Sequence, residues 1–98
     1  MPRDVGYFQQ VLRRELPSLA VQYHVSSLGL FGSYVQNKNR PDSDLDVLVT
    51  FSETPSLFRL VELENHLSDL LGVKIDLVMR DALRAHVGRE ILKEVVAV

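Results

Sequence analysis

Two strand-like runs, Asp44 to Phe51 and Val73 to Met79, are joined by a stretch that patterns as one full helix, and this constrains the chain more than any other feature. Leu60, Val61, Leu63, Leu67, Leu70 and Leu71 recur at helical spacing between Leu57 and Leu71, and Gly72 is placed to end the helix in a left-handed conformation. Thr54 offers a hydroxyl to cap free amides, and Pro55 suits a first helical position. Strand, helix and strand of this length form a crossover between parallel neighbours, because two parallel strands cannot be joined by a tight turn.

The preceding half adds a helix and an antiparallel strand. Asp4 is a cap for a helix carrying Val5, Phe8, Val11, Leu12 and Leu16, which Pro17 closes or kinks, with Leu19 to Tyr23 as a further turn. Val25 to Phe31 reads as a short buried strand running into Gly32. Tyr34 to Ser43 is polar and basic, an exposed loop that opens with a helical turn after Ser33. Ten residues return the chain antiparallel, so the Gly32-Ser33 end of one strand meets the Asp44 start of the next. Beyond Met79, Asp81 is a cap for a last helix with Leu83, Val87, Ile91, Leu92 and Val95 as its inner face. Gly88 weakens its middle, and the final Val-Val-Ala-Val leaves as an extended tail. The expected fold is α/β (α+β), one domain over residues 1–98: a small three-stranded mixed sheet packed with helices, in the order α-β-(α)-β-α-β-α.

A chain of 98 residues with 46% hydrophobic content can build a core without staples, since such a domain buries roughly 60 to 70% of its unfolded surface. Without cysteine there is no disulfide, thiolate zinc site or thiol nucleophile, which suits a reducing cytoplasm. No apolar run reaches the ~18 residues of a membrane span, and no signal-type stretch follows the Met-Pro-Arg-Asp start. A net charge of −2 argues against broad nucleic-acid binding, which relies on clustered Lys and Arg.

The chemistry lies in the acids. Residues two apart on a strand share a face, so Asp44 and Asp46 stand side by side. Adjacent carboxylates repel, and a divalent cation is the economical compensation. The parallel crossover sets Asp76 level with them, so that three carboxylates converge at one edge of the sheet. Such an oxygen-rich set suits Mg²⁺, and two ions about 3.5 to 4 Å apart would serve an in-line displacement. Gly32 permits close backbone approach, and the amides and hydroxyl beginning at Ser33 are suited to phosphate oxygens. Lys38 and Arg40, in the same loop, would attract phosphate. His24, His66 and His86 have no ligand spacing and read as surface or packing residues.

The stretch Leu30-Phe31-Gly32-Ser33, ten residues, then Asp44-Leu45-Asp46, resembles the signature of the DNA polymerase beta-like nucleotidyltransferase superfamily, and Lys74-Ile75-Asp76-Leu77-Val78 resembles the strand supplying its third acid. The likeness to minimal nucleotidyltransferases (MNT proteins) covers nearly the whole chain, including the Arg89-Glu90-Ile91-Leu92-Lys93-Glu94 ending. That resemblance implies the antitoxin of a HEPN/MNT toxin-antitoxin pair: ATP as substrate, Mg²⁺ as metal, Asp44, Asp46 and Asp76 as catalytic ligands, and AMP transfer to a hydroxyl, a tyrosine, on a HEPN ribonuclease toxin. One departure stands out. Relatives commonly carry Ala-Arg-Gly shortly after the serine, the arginine holding the triphosphate, where this chain has Val35-Gln36-Asn37. A neutral amide lacks a guanidinium's charge and fork of donors. The alternative to the enzyme is therefore a binding module of the same fold that neutralises its partner by docking. A small-molecule modifier is a third reading, disfavoured because such relatives carry an additional domain that 98 residues do not accommodate.

Overall fold

The computed structural model describes residues 4–98. Helix α1 spans Val5–Tyr23, and the Asp4 carboxylate accepts the Tyr7 amide at 2.9 Å as its cap. Of the two expectations at Pro17, a stop or a kink, the stop is not met: the helix continues through Pro17, which lies inside it and is exposed. The reason is energetic. An interior proline costs about 3 kcal/mol, but continuing the helix buries Leu19 and Tyr23 in line with Phe8 and Leu12, and each large apolar side chain contributes about 1.5–3 kcal/mol. His24 closes α1 in the left-handed region (φ 61°).

Strands β1 (Val25–Phe31), β2 (Leu45–Phe51), β3 (Ile75–Met79) and β4 (Val96–Ala97) form one sheet in the order β3-β2-β1-β4. β1 and β2 are antiparallel, and β2 and β3 are parallel, as the connections dictate. The fourth strand corrects the expected count of three. The C-terminal tail is extended, and it pairs antiparallel with β1 through Gly29↔Ala97 and Leu30↔Val96. Two further hydrogen bonds stitch it down: Val98 donates its amide to the Leu28 carbonyl, and Gln9 Nε2 donates to the Ala97 carbonyl.

Helix α2 occupies Leu57–Leu71, and Gly72 ends it at φ 71°. Its cap is Ser56, whose hydroxyl accepts the Arg59 amide at 3.2 Å, rather than Thr54. Ser56 is itself extended (ψ 159°), so the helix begins two residues after Pro55. Leu63, Leu67 and Leu71 are buried, while Val61, expected in the same stripe, is 50% exposed.

Along β2, Leu45, Val47 and Val49 are fully buried and join Phe8, Leu12, Leu63 and Leu67 in one core. The helices α1 and α2 thus cover one face, and the strand's period of two turns Asp46, Leu48 and Thr50 to the other. Asp81 does not cap the last helix. It lies in a single 3-10 turn, Arg80–Ala82, and helix α3 (Ala85–Glu94) starts after Arg84 with no side-chain cap. Nor is α3's inner face as expected: Val87 and Leu92 are exposed, and Gly88 is the buried residue, close against Leu83. No helix among the described residues is long and apolar enough to cross a membrane.

Candidate active site

β1 delivers the chain into the site at Phe31, which pairs with Asp46 across the antiparallel ladder. Gly32 follows at φ +81°, and a Cβ there would lie 1.8 Å from Asp46 Oδ2. Two constraints therefore demand glycine: the left-handed backbone and the carboxylate pressed against it. The loop opens with a single helical turn, in which Gln36 donates its amide to the Gly32 carbonyl at 3.0 Å, and it does not extend into a helix: Lys38 donates to the Ser33 carbonyl at 2.8 Å, with Asn37 at φ 59°. Tyr34 pins the turn by setting its ring edge-on to Phe8, centroids 5.5 Å apart. The amides of Ser33, Tyr34 and Val35 donate to no protein acceptor among the described residues. Successive unengaged amides around a left-handed glycine make a concavity suited to an anion.

The acids meet it from the neighbouring strands. Asp46 pairs directly with Asp76 in the parallel register of β2 and β3, and their carboxyl groups are within hydrogen-bonding reach. The ladder continues one step towards the rim, where the Leu45 amide donates to the Lys74 carbonyl at 2.8 Å, and Asp44 stands exposed just before β2. Burial pushes the Asp46 carboxyl up to about 6, helped by the charge of Asp76 and the hydrogen bond to it, then by the charges of Asp44 and Glu94. Among the described residues no three such side chains already converge as a metal cage. What is preformed is the Asp46–Asp76 pair with Asp44 at its edge. Burial first and the like-charged neighbours second disfavour the ionised form of Asp46, and a cation would relieve both, so these residues fit an oxygen-preferring divalent ion.

Lys38 and Arg40 are exposed in the loop, and neither forms an ion pair with these acids among the described residues. The histidines stand apart: His24 faces Glu53 at 3.4 Å, His66 lies beside the Tyr23 ring, and His86 is exposed. A cleft of about 280 Å³ opens beside Asp44, lined by Glu64, Asn65, Ser68, Lys74 and Ile75.

Sequence reasoning missed Glu94 as a member of this neighbourhood. Its Oε1 accepts the Gly32 amide at 3.4 Å, and its Oε2 accepts Gln36 Nε2 at 2.5 Å. Pairing of β4 with β1 brings it there, since extending the Leu30↔Val96 register by two residues sets Gly32 opposite Glu94. Nothing in the local pattern around Glu94 signals this; only the strand pairing does.

The profile of the family described as Nucleotidyltransferase domain matches residues 10–98. The chain belongs to this nucleotidyltransferase family. The protein adenylyltransferase MntA of Thermococcus cleftensis is 41% identical over 90 residues, covering 92% of this chain and 91% of that protein. A solved structure assigned as a minimal nucleotidyltransferase superposes with a TM-score of 0.79 at 30% identity, covering 97% of this chain and 96% of the other. A complex of the tri-AMPylated Shewanella oneidensis HEPN toxin with an MNT antitoxin contains a chain that superposes with a TM-score of 0.64 at 21% identity, covering 91% and 70%. At that identity the likeness is one of fold. Within this nucleotidyltransferase, the glycine-serine turn and two acid-bearing strands meet at Gly32, Asp46 and Asp76.

Proposed function

We propose that this nucleotidyltransferase is a protein adenylyltransferase that moves AMP from ATP to a hydroxyl, a tyrosine, on a HEPN ribonuclease toxin and so acts as its antitoxin. The observation that carries the proposal is the junction itself: Gly32 bends against Asp46, and the parallel register brings Asp76 beside that same carboxylate. In this reading Asp44, Asp46 and Asp76 hold Mg²⁺, which would supply a counter-charge to the triphosphate and to the leaving pyrophosphate. The amides of Ser33 to Val35 and the Ser33 hydroxyl take phosphate oxygens, with Gly32 giving them room. Lys38 and Arg40 attract the polyphosphate from the loop without fixing it. The acceptor oxygen forms its bond to the α-phosphorus as the bridging oxygen to the β-phosphorus departs, and Asp76 orients the acceptor hydroxyl and takes its proton. The relatives support the choice of reaction and partner, since one is named for protein adenylyl transfer and another fold-mate is bound to an AMPylated HEPN toxin.

Incubation with labelled ATP, Mg²⁺ and a HEPN partner is expected to label the partner, and Asp44→Asn to reduce labelling by about 100-fold or more, the scale on which a metal ligand matters to transfer. Equal labelling by Asp44→Asn would count decisively against this mechanism.

One observation favours a second reading, neutralisation by docking alone. Gln36 stands where relatives place an arginine, and its amide is engaged by Glu94 rather than left for phosphate. Under that reading Asp44→Asn and Asp46→Asn proteins still bind and still suppress the partner. Loss of suppression with the complex intact excludes it.

A further inference from the structure

Glu94 belongs to neither of the strands that carry the acids, yet it holds the turn on which the proposed nucleotide site depends. We propose that Glu94 is a positioning residue for the triphosphate, a role that rests on the nucleotide-binding reading above. Its carboxylate spans the first and last parts of the glycine turn. One oxygen takes the Gly32 amide and the other takes the Gln36 side chain, while the amides of Ser33, Tyr34 and Val35 between them have no protein acceptor among the described residues. Engaging Gly32 fixes the start of the turn, and the left-handed φ of +81° there leads into the amides that a phosphate would meet. Gln36 is fixed as well. With Nε2 committed to Glu94, its carbonyl oxygen and second N–H are the groups left to face a ligand or water.

Glu94 can do this because its backbone is anchored by the sheet. β4 begins two residues later and pairs with Gly29 and Leu30, and Val98 donates to the Leu28 carbonyl, so Glu94, the last residue of α3, reaches the turn from a helix end that the sheet holds in place. The turn is thus gripped from both sides, by the Asp46 carboxylate against Gly32 on the β2 side and by Glu94 on the β4 side.

An opposite role is physically available. A carboxylate that accepts from the glycine turn could be a stand-in for phosphate, to be expelled when a nucleotide arrives. The two roles differ in sign. If Glu94 positions the turn, Glu94→Ala weakens binding of Mg·ATP by about tenfold, the scale of losing a hydrogen bond to a charged group. Glu94→Gln keeps an acceptor oxygen for the Gly32 amide, and its NH2 can donate to the Gln36 carbonyl oxygen once that side-chain amide turns over, so affinity returns to within about threefold of the unaltered protein. Mg·tripolyphosphate shows the same losses, because the turn meets the phosphates and not the base. In transfer assays the effect falls on KM for ATP more than on kcat, which loss of fold stability alone would not produce.

The measurement is calorimetric titration of the full chain and both variants with Mg·ATP and Mg·tripolyphosphate, alongside thermal melts. Tighter binding by either variant identifies Glu94 as an internal competitor and overturns the proposal. Unchanged binding by Glu94→Ala, or failure of Glu94→Gln to rescue, also overturns it. If Glu94 proves silent while the unaltered protein still binds Mg·ATP and transfers AMP, the adenylyltransferase reading stands without it. If the unaltered protein binds neither ligand, the nucleotide reading and the positioning role fall together.

Discussion

At Gly32 a single missing methyl group keeps backbone and carboxylate together. Alanine there would meet Asp46 Oδ2 at 1.8 Å and adopt a φ of +81°, a conformation that costs an L-residue about 1–2 kcal/mol before any clash is counted. Gly32→Ala is therefore expected to lower Tm by at least about 5 °C and to displace the Asp46 carboxylate. In an Asp46→Ala background the same substitution should cost only its backbone part, a difference that a double-mutant cycle of thermal melts reads directly. Asp46 carries a second prediction. Its carboxyl is raised from 3.8 to about 6, first by burial and then by Asp76, so between those values the folded chain holds a proton that the unfolded chain has lost. Stability attributable to this group is full below about pH 4 and lost as pH rises through about 6. The shift corresponds to at most about 3 kcal/mol, and solvent screening of a part-exposed group reduces that to about 1. Asp46→Asn should thus stabilise the protein by about 1 kcal/mol at pH 7.5 and flatten its melting profile between pH 4 and 7. Added Mg²⁺ should flatten the unaltered protein's profile too, by favouring the ionised form.

The elements differ in how completely local chemistry specifies them. Helix α2 ends where expected, at Leu71, because Gly72 is a local signal, but it starts at Leu57, two residues beyond the Pro55 entry. Its cap was misassigned to Thr54 because two hydroxyl residues flank Pro55, and only the backbone settles which oxygen meets the Arg59 amide. Ser56→Ala should cost about 1 kcal/mol, whereas Thr54→Ala should stay within about 0.5, as chemical denaturation would show. α1 outruns Pro17 because Leu19 and Tyr23 are buried by the rest of the core, a contribution that lies outside the helix's own sequence. The segment after Ser33 opens with the single helical turn that a serine and a polar run suggest, and the wide Lys38-to-Ser33 bond and left-handed Asn37 then close it into a loop held by Tyr34 on Phe8.

Across the whole molecule, stability is unevenly shared. α1 and α2 bury Phe8, Leu12, Leu63 and Leu67 against one sheet face, while α3 buries only Gly88 and leaves Val87 45% exposed on the other. Amide exchange is therefore expected to be faster across Ala85–Glu94 than across Leu57–Leu71, by about 100-fold or more at the helix centres, since protection follows buried apolar contact. Comparable protection of the two helices would contradict this account. By itself the sequence determined the period-two strand that carries Asp46, the glycine before Ser33, the helical crossover that makes β2 and β3 parallel, and through it the level of Asp76 with Asp46, because each follows from spacing within a few residues, whereas Asp44, expected on the same strand, stands just before it. The tertiary structure alone decided that the tail becomes β4, that Gly32 lies against Asp46, and that Glu94 reaches Gly32 and Gln36. These are contacts between strands far apart in the chain. Their register depends on how the core closes, and no local periodicity encodes which backbone edge a short strand will find.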